Sequence, residues 1–149
     1  MQKLEGLDED LMQEEESEKV TSFEEEKKKR KPFHFWTVGE KDFKMKLNTS
    51  MITKLENKYR QNIITLVTEN GIPPLSVMLT VAQAAIVPWE HKFSYEKVKK
   101  LFDAWVDDGG SQMKFYTDII MPTLAVSGFF TPEQAESMLN SLETAEDLI

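Results

Sequence analysis

The sequence predicts a mainly α fold: a compact bundle of about five to six helices, with a short N-terminal β-hairpin and a charged N-terminal extension. Three observations predict it. Residues 72–89, IPPLSVMLTVAQAAIVPW, form the longest apolar run, bounded by Pro73-Pro74 and Pro88. On both sides of it, apolar residues recur at helical spacing. Ahead of these, residues 33–47 alternate with period two about a glycine-containing turn.

Residues 1–31 stand apart as an extension, and 32–149 as a single helical domain carrying the hairpin. The extension holds eleven acidic residues against seven basic ones, with few apolar residues among them. Such composition predicts disorder or a marginal helix, because little apolar surface is available to offset chain entropy. Glu24–Glu26 followed by Lys27–Lys29 sets Glu–Lys pairs three and four residues apart, which support a helix weakly. Lys27–Lys31 resembles a short basic patch of the kind that meets nucleic acid.

Pro32 closes that region. Phe33, Phe35 and Thr37 alternate with His34, Trp36 and Val38, and after the turn 39–42 Phe43, Met45 and Leu47 alternate with Lys44 and Lys46. An isolated hairpin is marginal, so its apolar face is expected to lie on the helices. Asn48, Thr49 and Ser50 offer N-caps for a first helix with a stripe of Met51, Ile52, Leu55 and Tyr59. A second helical piece carries Ile63, Ile64, Leu66 and Val67 and stops at Glu69-Asn70-Gly71.

The central run follows. Only Ser76, Thr80 and Gln83 are polar between the prolines, so it reads as a helix apolar nearly all round and therefore buried. Residues 74–87 would span about 21 Å at ~1.5 Å per residue, short of a ~30 Å hydrocarbon core, which argues for a core helix over a membrane segment. Residues 89–93 are a connection, and Ser94 caps the next helix. Its stripe is Val98, Leu101, Phe102, Trp105 and Val106. Asp107-Asp108-Gly109-Gly110-Ser111 lacks the further oxygen ligands of a calcium loop and the GK[ST] ending of a phosphate loop. It reads as a glycine stop followed by the N-cap Ser111.

The helix over 112–127 contains Pro122, which should kink or break it. Ser127-Gly128 is its exit, and Phe129 and Phe130 are placed to fold back onto the core. Thr131-Pro132-Glu133-Gln134 predicts a capping box with proline at the first helical position of a last helix, whose stripe is Ala135, Met138, Leu139 and Leu142 and whose end, 144–149, should fray.

Composition limits the function classes. Net charge is −8, unlike the basic face of a nucleic-acid binder. There is no cysteine, so neither a disulfide framework nor thiol chemistry is available. The acidic N-terminus lacks the apolar core of a signal peptide. Two histidines, His34 and His91, make no metal motif, and no nucleophile motif is present. No catalytic residue, cofactor site or metal site is expected, which favours binding or assembly over catalysis.

The order of elements resembles a known family. A β segment leads into a helix with an L-E-x-K-Y core at Leu55, Glu56, Lys58 and Tyr59. The apolar PPLSVMLTVAQAAIVPW, the amphipathic FSYEKVKKLFDAWVDDGGS and a helix ending in LAVSGFF follow. Over residues 40–130 or so this is similar to the tail assembly chaperones of long-tailed, siphovirus-type phages of Gram-positive bacteria. The GGS step and SGFF are its most specific pieces.

The resemblance implies a non-catalytic late protein of the host cytoplasm, absent from the mature virion. It would bind the tape measure protein, keep it soluble and recruit subunits of the major tail tube protein. Self-association is expected, and neither nucleic acid nor membrane is implied as a partner. A long helical client calls for a face that accepts amphipathic helices. The candidate contact residues are the aromatics near the motif ends, Trp89, Phe93, Phe129 and Phe130. Two other readings stay open: a helical adaptor or regulatory module acting through the charged N-terminal arm, and an enzyme with an unfamiliar helical site.

Overall fold

The computed structural model describes residues 31–147. The reading of residues 1–30 as disordered or marginally helical falls outside them, as do the last two residues of the stretch expected to fray. The described residues form an antiparallel hairpin and six helices, counting 112–126 as one continuous helix, around a shared hydrophobic cluster.

Strands β1 (His34–Val38) and β2 (Lys41–Met45) pair antiparallel, with Val38 opposite Lys41 and His34 opposite Met45. Only two residues, Gly39 and Glu40, join them. Gly39 has φ 64° and Glu40 does not share the positive sign, which is the pattern of a glycine-first type II′ turn. That turn fixes the register, and the register decides which aromatics go inside. Trp36, Val38, Phe43 and Met45 are buried, and Leu47 continues their face. Phe35, 49% exposed, belongs to the opposite face, across from Lys44.

Helix α1 (Thr49–Tyr59) is capped by Asn48, whose side chain accepts from the Met51 amide, and α2 (Ile63–Thr68) by Asn62 in the same manner toward Ile64. Helix α3 (Leu75–Ile86) is the expected central helix, and it contacts β2, α1, the helix Tyr95–Asp107 and the π-helical stretch Phe115–Ile120. Seven of its twelve residues are buried. The burial is not complete all round. Ser76 is exposed and Thr80, Gln83, Ala84 and Val87 are half-buried, so the three polar residues mark one solvent-facing stripe. Thr80 bonds back to the Ser76 carbonyl, and Gln83 donates to the Phe93 carbonyl.

Helix α4 (Tyr95–Asp107) is capped by Ser94, which accepts from Lys97 N–H. Val98 and Phe102 are buried and Leu101 and Trp105 half-buried, whereas Val106, at the edge of the predicted stripe, is exposed. Phe102, Trp105 and Phe115 pack with Trp36 as one aromatic cluster, with ring centroids 5.1–6.1 Å apart. Gly110 closes against this cluster. A Cβ there would overlap the Trp105 indole, so only glycine lets the chain pass.

Helix α5 (112–126) is irregular around Pro122, where a kink or a break is expected. Pro122 neither ends it nor breaks it. The helix runs as Gln112–Lys114, widens into a π-helical stretch at Phe115–Ile120, and continues as Met121–Val126. A proline ring collides with the carbonyl four residues earlier and leaves it without a donor. Here that carbonyl belongs to Asp118, inside the widened turn, and the extra residue per turn absorbs the collision.

Helix α6 (Pro132–Asp147) starts with both bonds of the predicted capping box. Gln134 N–H donates to Thr131 Oγ1 at 3.1 Å, and Thr131 N–H donates to Gln134 Oε1 at 3.0 Å. Of its stripe only Ala135 is buried, whereas Met138, Leu139 and Leu142 remain half-open.

One hydrogen bond and one chain of three fasten the hairpin to helices distant in sequence. Lys46 N–H donates to the Ala85 carbonyl at 3.0 Å. Leu47 N–H donates to Ser127 Oγ at 2.9 Å, Ser127 Oγ donates to the Thr123 carbonyl, and Thr123 Oγ1 to the Ile119 carbonyl. Thr123, fully buried, is thus satisfied within its own helix.

Candidate functional site

Four aromatics were expected to be exposed contact residues, and only Trp89 meets that premise, at 41% exposure. Phe93 is buried: its ring lies 5.7 Å from Phe43 on the inner face of the hairpin. The inward turn of β2 creates that slot, which a loop position beside an exposed tryptophan does not reveal. Phe129 and Phe130 are half-buried and packed against the core, as their folding back predicts. The structure does not gather the four into one surface.

It gathers a different group around Trp89. The three-residue link from α3 places Trp89 beside the outer face of the hairpin, where its indole N–H donates to the Lys46 carbonyl at 3.3 Å. Phe33 meets Trp89 edge-on at 5.0 Å. The Lys44 ammonium lies 4.3 Å from the Phe33 ring centre and 5.7 Å from that of Trp89, and Lys46 lies 5.6 Å from Phe33. Exposed cation–π contacts of this kind contribute roughly 0.5–1 kcal/mol each. They hold the ammonium groups near the ring faces without neutralising them.

A shallow groove of about 310 Å³ runs here between β2 and the α3–α4 connection. At its border Glu90 takes Lys41 at 2.8 Å and Lys97 at 3.6 Å. The Lys41 hydrogen bond holds the Glu90 carboxyl below its usual range. Asp42, near the turn, accepts from the Thr37 hydroxyl. The surface is therefore aromatic and cationic on a chain that is acidic overall. Period-two alternation in 43–47 signals that Lys44 and Lys46 share a face. It does not signal that Trp89, over forty positions later, lies on that face.

A second feature is a crevice of about 280 Å³ between the start of β1, α5 and α6. It is lined by His34 and Phe33, by Thr117, Asp118 and Pro122, and by Leu139, Leu142 and Glu143, among others. Burial lowers the pKa of His34, opposed by its hydrogen bond to the backbone of Asp118; Lys31 adds to the lowering. Its Nε2 has no hydrogen-bond partner among the described residues. Among those residues no three His, Asp or Glu side chains are grouped to hold a metal ion, and no helix is long and apolar enough to cross a membrane. Protein-family models, curated proteins and solved structures give no match to this chain.

Proposed function

We propose that this chain is a non-catalytic tail assembly chaperone, which binds the tape measure protein of a long-tailed phage, keeps it soluble and recruits subunits of the major tail tube protein. In this reading it acts in the host cytoplasm as a self-associating protein and is absent from the finished virion. The order of elements supports it, since this order carries the resemblance. The observation that carries it furthest is the solvent-open surface of Trp89, Phe33, Phe35, Lys44 and Lys46. Aromatic rings give contact area at low entropic expense, and lysines select a client helix with acidic residues beside its apolar stripe. Repeated weak sites on an oligomer would hold a long client by avidity.

The test is co-expression with the product of a very long, helix-rich reading frame just downstream of the gene, itself placed after a tail tube gene. The full chain should co-purify with that product and keep it in the supernatant, and Trp89→Ala together with Lys44→Glu should abolish both effects. A chain that leaves the long product insoluble and does not co-purify with it overturns the proposal.

A further inference from the structure

The outer face of the hairpin has the chemistry of a docking surface for an acidic segment with scattered apolar residues, and the chain supplies one. We propose that the acid-rich N-terminal arm, residues 4–26, folds back onto the face formed by Phe33, Phe35, Lys44, Lys46 and Trp89 of the same molecule and covers it.

Charge is the first argument. Residues 1–26 hold eleven acids and two bases, whereas Lys44 and Lys46 project from the face with their ammonium groups over rings and no carboxylate partner among the described residues. The carboxylates at its border, Glu90 and Asp42, are already taken by Lys41 and Lys97 and by Thr37. The most acid-rich stretch of the chain is the arm.

Apolar content is the second. The face keeps Phe35 and Trp89 at 49% and 41% exposure, and the arm carries Leu4, Leu7, Leu11, Met12, Val20 and Phe23 among its acids. Each side has apolar groups the other can bury alongside the charge pairing.

Tethering is the third. The described chain begins at Lys31, two residues before Phe33, so the arm is attached at the edge of the face. A short link of this kind gives an effective concentration on the order of millimolar, enough to populate a contact too weak to form between free molecules. Lys27–Lys31, at the junction, carry the cationic field into the link, and the acid-rich stretch lies immediately beyond.

The absence of native cysteine makes a direct test clean. Full-length Glu16→Cys, carrying a nitroxide spin label, is compared in its oxidised and reduced forms by amide NMR. The expected result is loss of intensity at the Phe35, Lys44 and Lys46 amides and at the Trp89 indole N–H. The loss should vanish when Lys44→Glu and Lys46→Glu are added. It should also vanish when Glu14→Gln, Glu15→Gln and Glu18→Gln are added, which leave the folded domain untouched. Full intensity at these positions overturns the proposal, as does a loss that survives the arm substitutions. Mixing unlabelled spin-bearing chains with isotope-labelled, spin-free chains identifies the other occupant. Loss in the mixture equal to that within one chain would show that the face binds a second copy instead, which also overturns it.

Discussion

His34 of β1 lies against Asp118 of α5, the residue four positions before Pro122, in the crevice where the strand meets the helix.

The burial of His34 makes stability sensitive to pH. Burial sets the folded-state pKa of His34 below its ordinary 6.5. The unfolded chain therefore takes up the proton more readily, and stability rises with pH wherever that is so. Stability should be full above about pH 6.5 and decline as pH falls through that value toward the lower folded one. Lys31 opposes the charged form, Asp118 favours it, and Glu143 lines the same crevice. His34→Gln keeps a donor but cannot titrate in this range. Thermal unfolding at pH 7.5 and pH 5.5 should show a larger drop for the native chain than for the variant.

Gly110→Ala should destabilise by about 1–3 kcal/mol, the usual penalty for forcing extra volume into a packed site. The cause is the Trp105 ring, not backbone strain, since Gly110 is not among the glycines with positive φ. Urea unfolding of Gly110→Ala alone and with Trp105→Ala checks this. The glycine substitution should be far milder once the indole is gone.

Ser127→Ala should cost about 1–3 kcal/mol, because Leu47 N–H loses its acceptor in a place water does not reach freely. Ser127→Thr retains the hydroxyl and should recover much of the loss. Denaturant midpoints at unchanged slope would separate this from a change in compactness.

Trp89→Ala and Phe93→Ala should part company. Phe93 fills a buried slot against Phe43, so its truncation should remove roughly 3–5 kcal/mol of stability. Trp89 is 41% exposed, so its truncation should lower the melting temperature much less than that of Phe93 and, on the proposed function, weaken co-purification with the client. Calorimetry beside a pull-down reads both effects.

Much of this architecture is legible in the residues. Period-two alternation in 43–47 gives the inner face of β2, and Asn48, Ser94, Ser111 and Thr131 each cap the helix they precede. These signals are local, so a single sequence carries them. What escapes it is where distant elements land. Pro122 announces a defect but not its resolution, because a single sequence does not show that the turn before it widens. Phe93 and Trp89 are four residues apart in one connection, yet one is core and the other surface. That choice is made by Phe43 and Phe33, on opposite faces of the hairpin. The open stripe at Ser76, Thr80 and Gln83 is visible only as three polar interruptions in an apolar run.

The bond from Leu47 to Ser127 has a consequence for the order of events on the ribosome. The hairpin emerges first, and its turn can set the strands as soon as they clear the exit tunnel. Its inner face, with Trp36, Met45 and Leu47, has no cover until α3, α4 and α5 follow, and non-local closure of this kind slows folding. A nascent chain halted before residue 127 would leave the Leu47 amide without its acceptor and the strand unsecured. Quality-control proteases should therefore meet a sharp boundary: products ending a few residues short of Ser127 are cleared, and those reaching past α5 survive.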